Sequence, residues 1–305
     1  MTNSETVTIA RLRKLQKELK NCPRVLITLI LNSWSVLDAI MVIYVVYLAS
    51  KNIKDRSLTP RRLHALGCRK IHKCFWEINE KNLSKVTQLL QGKQPVLLKK
   101  AREIRRPLSV RTLKEKKFRE LGSLVIVIHN IDKETKREKA SHFLKKAPYI
   151  RLRRSVYAFL QRHSLFDKKN ELVDWQKFVT FLRENGEDFK VITRVVILNQ
   201  SCIVRLLEET KQRVEAELLN IAESCKRFQV KFSKEGCDPQ FAKDALSKLK
   251  RRFTIIKNVA SFYEKWMEVD FSKSLMKSYR AIKKMQSFID SNRANANVYL
   301  ELVVS

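Results

Sequence analysis

From Leu124 onward, apolar runs of strand length alternate with apolar positions at helical spacing, and the order of the two patterns predicts the fold. Leu124-Val-Ile-Val-Ile-His-Asn-Ile131 is a continuous apolar run bounded by Gly122 and Asp132, as expected of a central strand covered on both faces. Ala140, Phe143, Leu144 and Ala147 then fall on one buried helical stripe, which Pro148 stops. Tyr149 to Ser155 and Val156 to Leu160 read as a strand pair in which arginines alternate with apolar residues, so one face packs while the other presents positive charge. Leu172, Trp175, Phe178, Val179 and Leu182 mark a second amphipathic helix, ended by Asn185-Gly186, before a last strand from Val191 to Leu198.

Strand, helix, two strands, helix, strand is the order of a ferredoxin-like domain, expected over residues 123–200. Upstream, Val25 to Ala49 is long and apolar enough to cross a bilayer and holds one formal charge, Asp38. Pro23 at a helix start, the Asn32-Ser33 interruption and the cap-like Ser35-Val-Leu-Asp38 divide it instead into two helices, near 24–31 and 36–50, with a membrane-anchored protein as the alternative. Thr59-Pro60 opens a short helix with Leu63 and Leu66 on its buried side, and Gly67 takes the turn. A second helix from Cys68 to about Lys81 then buries Ile71, Cys74, Phe75 and Ile78. Lys85 to Leu90 and Pro95 to Lys100 flank Gln91-Gly92-Lys93-Gln94 as a hairpin. Together these predict a winged helix-turn-helix within a DNA-binding domain 1–100, followed by a basic linker 101–122.

Beyond the core, Leu207, Thr210, Val214, Leu218, Ile221, Cys225 and Phe228 mark a long helix, and Phe241 to Met267 a helix returning after a turn at Lys234 to Pro239. A third helix holds Leu275, Tyr279, Ile282 and Phe288; past a break at Asn292 to Asn297, Val298 to Val304 reads as a terminal strand. The expected fold class is α+β and mostly helical: a winged helix-turn-helix, a ferredoxin-like domain, and a helical region 201–305. Trp175 and Trp266 are read as packing residues.

Tyr149, Arg151, Ser155, Val156 and Tyr157 match a "YxRxxxSVF"-like strand pair, and the segment resembles the small CRISPR-associated ferredoxin-fold family of spacer integrases. It also resembles the N-terminal half of ChrB-type chromate-resistance regulators, a similar core followed by long charged helices, as Ser201 to Met267 is here. PaaX-type repressors combine a similar core with a winged helix in front. The resemblance implies a core that dimerises, which would place two reading heads on one duplex. Nuclease chemistry in the first family needs an aspartate at the end of the first strand, because a hard divalent metal takes oxygen ligands. Asn130 stands there, and Asp132 lies in the following turn, where it reads as a helix cap. A protein that is not an enzyme is therefore expected, with a ferredoxin-like metal-dependent nuclease as the alternative.

Charge points to the partner. Sixty-three Lys and Arg against 31 Asp and Glu give a net charge of +32, an excess that repels itself unless a polyanion neutralises it. More than half of it precedes the core, with 27 basic against 9 acidic residues up to position 122. Arg69, Lys70, His72 and Lys73 occupy the exposed start of the expected recognition helix, where base edges and phosphates are met, with Arg61 and Arg62 on the helix before it. Lys93, Lys99, Lys100, Arg105, Arg106, Lys116 and Lys117 supply the wing and linker, and Arg151, Arg153 and Arg154 the charged face of the strand pair. The expected function is a dimeric DNA-binding transcriptional regulator, its partner double-stranded DNA. No cofactor or metal is called for: six cysteines lack paired CxxC spacing and five histidines form no HxxxH cluster. With no cleavable signal sequence, the cysteines read as reduced thiols of a cytoplasmic protein.

Overall fold

Eight short strands join in one antiparallel sheet in the computed structural model, which describes residues 42–48, 53–107, 120–131, 133–161, 172–235 and 239–304. The chain runs β1 (Ile43–Val46), α1 (Ile53–Ala65), β2 (Arg69–His72), β3 (Phe75–Ile78), a 3-10 turn at Glu80–Asn82, α2 (Leu83–Leu89) and β4 (Val96–Lys100). It continues through β5 (Leu124–Asn130), α3 (Glu134–Leu144), β6 (Ile150–Arg153), β7 (Val156–Leu160), α4 (Trp175–Glu184) and β8 (Asp188–Ile197). Three long helices follow, α5 (Gln200–Glu235), α6 (Pro239–Met267) and α7 (Ser272–Val304). The fold is α+β, with one large antiparallel sheet and seven α-helices among the described residues. None of those helices is long and apolar enough to cross a membrane.

Strand order in the sheet is β2-β3-β1-β4-β8-β5-β7-β6. Each half follows the same rule: strand, helix, two strands, helix, strand, with the first strand lying between the third and the fourth. The chain thus forms the same topological unit twice, and the fourth strands of the two repeats, β4 and β8, pair with each other. The sheet is therefore continuous across positions 100 and 123, where separate domains were expected to meet.

Period-2 burial builds two apolar layers on one side of the sheet. In the first repeat Ile43, Val45, Trp76 and Ile78 pack with Leu63 of α1 and with Val86 and Leu90 from α2 and its C-terminal end. In the second, Val125, Val127, Tyr157 and Phe159 pack with Ala140 and Leu144 of α3 and Phe178, Val179 and Leu182 of α4. Asp174 caps α4 by accepting the Lys177 N–H at 2.8 Å. The C-terminal helices are tied to the second repeat by Trp266, whose indole N–H donates to the Leu121 carbonyl at 2.9 Å, and by Tyr263 against Tyr149. Contacts of Arg213 with Tyr263, Glu217 with Arg252, and Phe228 with Phe241 set α5 and α6 antiparallel.

The second repeat has the elements read from its sequence; the first departs from its reading. Residues 68–81 are no recognition helix: Arg69–His72 and Phe75–Ile78 are a strand pair. Ile71, Cys74, Phe75 and Ile78 fit helical spacing, but Phe75 and Trp76, adjacent and both essentially unexposed, point to opposite faces of a sheet buried on both sides. Lys85 to Leu90 is no wing strand either, since Val86 and Leu90 sit one turn apart on the buried side of the α2 segment. Without that helix and that strand, the winged helix-turn-helix expected over residues 59–100 is not formed there.

Ile43–Val46, expected inside a helix, is the β-branched-rich central strand of the first repeat; residues 42, 47 and 48 beside it are not helical either, and the rest of the expected 24–31 and 36–50 helices lies outside the described residues. Thr59-Pro60 does not open α1, which contains Pro60, because Thr59 and Leu63 one turn later both face the core. At the C-terminus α7 runs unbroken through Asn292–Asn297 to Val304, so Val298–Val304 is helix rather than strand. Asp132 lies outside the described residues, and the N-cap position of α3 is Lys133.

Candidate nucleic-acid interface

The two hairpins that join the second and third strands of each repeat have the same register. Lys70 pairs with Trp76 and His72 with Phe75, with an irregularity between; Arg151 pairs with Tyr157 and Arg153 with Val156, with an irregularity at the same point. The Tyr47 N–H donates to the Cys74 carbonyl at 3.1 Å, and the His129 N–H donates to the Ser155 carbonyl at 3.1 Å. These bonds make Tyr47 equivalent to His129, Leu48 to Asn130, Lys70 to Arg151, His72 to Arg153, and Lys73 to Arg154. Between the repeats, Leu98 pairs with Ile197 and Lys100 with Val195, so equivalent strands meet antiparallel. That is the geometry of an isologous two-fold contact, made here within one chain.

Equivalent positions of the two repeats line one cavity of about 890 Å³. The first repeat contributes Tyr47, Lys70, His72 and Lys73; the second contributes His129, Asn130, Arg137, Arg151, Arg153, Arg154 and Tyr157. No Asp or Glu is among its described lining residues. The repeats also touch directly beside it: Arg153 Nη2 donates to the Gln94 carbonyl at 2.7 Å, and Lys190 Nζ lies 3.4 Å from the Ile71 carbonyl.

Burial divides the lining into two kinds of group. Lys70, Lys73, Arg151 and Arg154 are exposed, and none of them makes an ion pair among the described residues. Arg153 is partly buried; burial first, and then Arg205, lowers its pKa, and its Nε has no partner among the described residues. Arg137 is held by donating Nε to the Ile131 carbonyl at 2.8 Å. Burial, followed by Lys73, Lys190 and Lys70, lowers the His72 pKa. Deeper still, His129 is 6% exposed and both ring nitrogens are buried without a partner among the described residues. Burial, with a smaller push from His72, drives its pKa down to about 4, so the imidazole is neutral at neutral pH. Its ring stacks on Tyr157 at 5.4 Å and meets the edge of Phe178 at 5.9 Å.

Of the residues singled out in the sequence, Lys70, His72, Lys73, Arg151, Arg153 and Arg154 are brought together here, although they were assigned to separate domains. Arg69 lies on the same strand outside the cavity, bound to Glu77 on β3. Arg61 and Arg62 are exposed on α1, Lys93 reaches the Thr59 hydroxyl, and Lys99 and Lys100 lie on β4. Arg105 is 3.8 Å from Glu120 and Arg106 is exposed; Lys116 and Lys117 lie outside the described residues. Arg137, Tyr47 and the buried His129 were not foreseen as site residues. The signal that leads to them is the likeness of Lys70-Ile-His-Lys-Cys-Phe-Trp76 to Arg151-Leu-Arg-Arg-Ser-Val-Tyr157. Asn130 stands at the end of β5 and Leu48 at the equivalent position after β1, so neither of these two positions brings a carboxylate to the cavity. Among the described residues no three His, Cys, Asp or Glu side chains are grouped as metal ligands would be. No protein-family profile, curated protein or solved structure matches this chain.

Proposed function

We propose that this protein binds nucleic acid without modifying it, and that its two repeats are tandem ferredoxin-like units that grip the phosphate backbone between them. The observation that carries the reading is the cavity: Lys and Arg side chains from both repeats line it, and no Asp or Glu is among its described lining residues. A chain at +32 needs a polyanionic partner, and a concave site with exposed, unpaired cations is where the field is strongest. A binding rather than a cleaving role is supported by Asn130 and Leu48 at the strand ends, which offer a metal no charged oxygen. Reading of base sequence by a major-groove helix is no part of this proposal, since residues 69–78 form a strand pair.

The test is binding of a fluorescent 20-mer across a salt series. Replacing Lys70, Lys73, Arg151 and Arg154 together with Ala removes up to four phosphate contacts, each worth ~0.7 (single strand) to ~0.9 (duplex) of the log–log salt slope. The slope should therefore fall by about 3, whereas Arg61→Ala with Arg62→Ala, outside the cavity, should change it by less than about 1. An unchanged slope in the fourfold variant removes the cavity from the interface.

A further inference from the structure

We infer that the cavity takes a short unpaired stretch of one nucleic-acid strand, whose phosphates bridge the two repeats while a base or sugar reaches the buried floor. This rests on the nucleic-acid reading above and names the form that is bound. Size is the first argument. At about 890 Å³ the cavity falls within the ~300–1,000 Å³ range of sites that enclose small ligands. A few nucleotides fit such a space; a duplex, with its bases stacked inside, offers it only outer phosphates.

Chemistry is the second argument. Exposed Lys70 and Lys73 on one side and Arg151 and Arg154 on the other are suited to phosphate, and a pure phosphate site would be cationic throughout. The floor is different. His129 is buried against Tyr157, carries no charge at neutral pH, and has one N–H donor and one ring acceptor with no partner among the described residues. A buried polar group left unmatched costs about 1–3 kcal/mol, so its retention points to a partner that enters from the cavity. A base edge or sugar hydroxyl supplies both a donor and an acceptor next to phosphate; in a duplex the base edges are already paired.

The third argument is composition of the site from both repeats. Because equivalent positions of the two repeats line the same cavity, a single strand crossing it meets Lys70 and Lys73, then Arg151 and Arg154. The pairing that the family resemblance puts between two chains is, on this inference, met within one.

The experiment uses the full chain and fluorescence polarisation with three probes: a dT hexamer, an rU hexamer, and a blunt duplex of equal charge. Either hexamer should bind at least about fivefold more tightly than the duplex, and comparison of the two tells DNA from RNA. His129→Gln should weaken hexamer binding roughly tenfold while leaving duplex binding within about twofold. Lys70→Ala with Lys73→Ala, and separately Arg151→Ala with Arg154→Ala, should each weaken hexamer binding by similar factors. These four side chains are exposed, so their variants keep the test open should the His129 variant fail to fold. Duplex binding equal to or tighter than hexamer binding overturns the inference but leaves the nucleic-acid reading standing. Loss confined to one repeat also overturns it. No binding of any probe at low salt sinks both.

Discussion

Tyr263→Phe tests how the C-terminal helices are fixed to the sheet. Tyr263 is fully buried on α6, and its hydroxyl accepts the Tyr149 N–H at 2.7 Å and Arg213 Nη2 at 2.6 Å while donating to the Tyr149 carbonyl at 2.6 Å. Phenylalanine keeps the ring and removes one oxygen. The Tyr149 N–H is then an orphaned donor, worth about 1–3 kcal/mol. Arg213 loses one of two acceptors but keeps the Tyr149 carbonyl at 2.7 Å and the Tyr149 ring at 3.9 Å, so its loss is smaller, about 1 kcal/mol. The sum is about 2–4 kcal/mol, or a fall in Tm of roughly 3–6 °C. Burial raises the Tyr263 phenol to about 12, so the deficit should be the same at pH 6 and pH 9. Chemical denaturation followed by circular dichroism measures it, with Tyr279→Phe as comparator because that ring is 46% exposed. A deficit no larger than that of the comparator would show that the three helices are held by apolar packing alone.

Further outcomes follow from other sites. His129 has a pKa depressed from 6.5 to about 4, so the folded protein disfavours its protonation; the stability it contributes is complete above pH 6.5 and is lost as pH falls toward 4, by about 3 kcal/mol. His129→Gln should flatten stability against pH in that window, and an unchanged profile in denaturation at pH 4 to 7 would refute the assignment. Gly122 has φ +76°, and a Cβ there would lie 2.7 Å from the Pro107 nitrogen. Gly122→Ala should therefore cost at least about 2 kcal/mol, while Gly67→Ala, at φ +72° with nothing within 4 Å, should cost only about 1 kcal/mol; equal losses would mean that the 105–107 segment moves aside.

Legibility in the sequence differed between two copies of the same topology. In the second repeat the unbroken run Leu124 to Ile128 and the alternation of Ile150, Arg151, Leu152 and Arg153 left no helical alternative. In the first, strands of four residues are too short to establish a period, and Ile71, Cys74, Phe75 and Ile78 happen to fall at helical spacing. Strand β1, buried at every position, reads the same way as a segment of a buried helix. The cations of the cavity were visible as residue types, but their convergence depends on the β4–β8 pairing between strands nearly a hundred positions apart. What would have exposed it is the match between residues 70–76 and 151–157. Lys and Arg, Cys and Ser, and Trp and Tyr exchange there with charge, size or aromaticity kept, so identity is low while chemistry is retained.

The join between β4 and β8 also decides how this chain can be divided. Within either repeat alone the fourth strand would be an edge, offering a row of unpaired N–H and C=O groups flanked by apolar side chains: Val96 and Leu98 in one, Val195 and Ile197 in the other. Such an edge is a template for a further strand, and isolated copies would associate through it or aggregate. Joined, each repeat covers the other's sticky side, and the outer edges that remain, β2 and β6, carry Arg69 and Lys70, and Arg151 and Arg153, charges that discourage strand addition. Cleavage at the basic segment 101–122 would therefore release two aggregation-prone halves rather than two working domains.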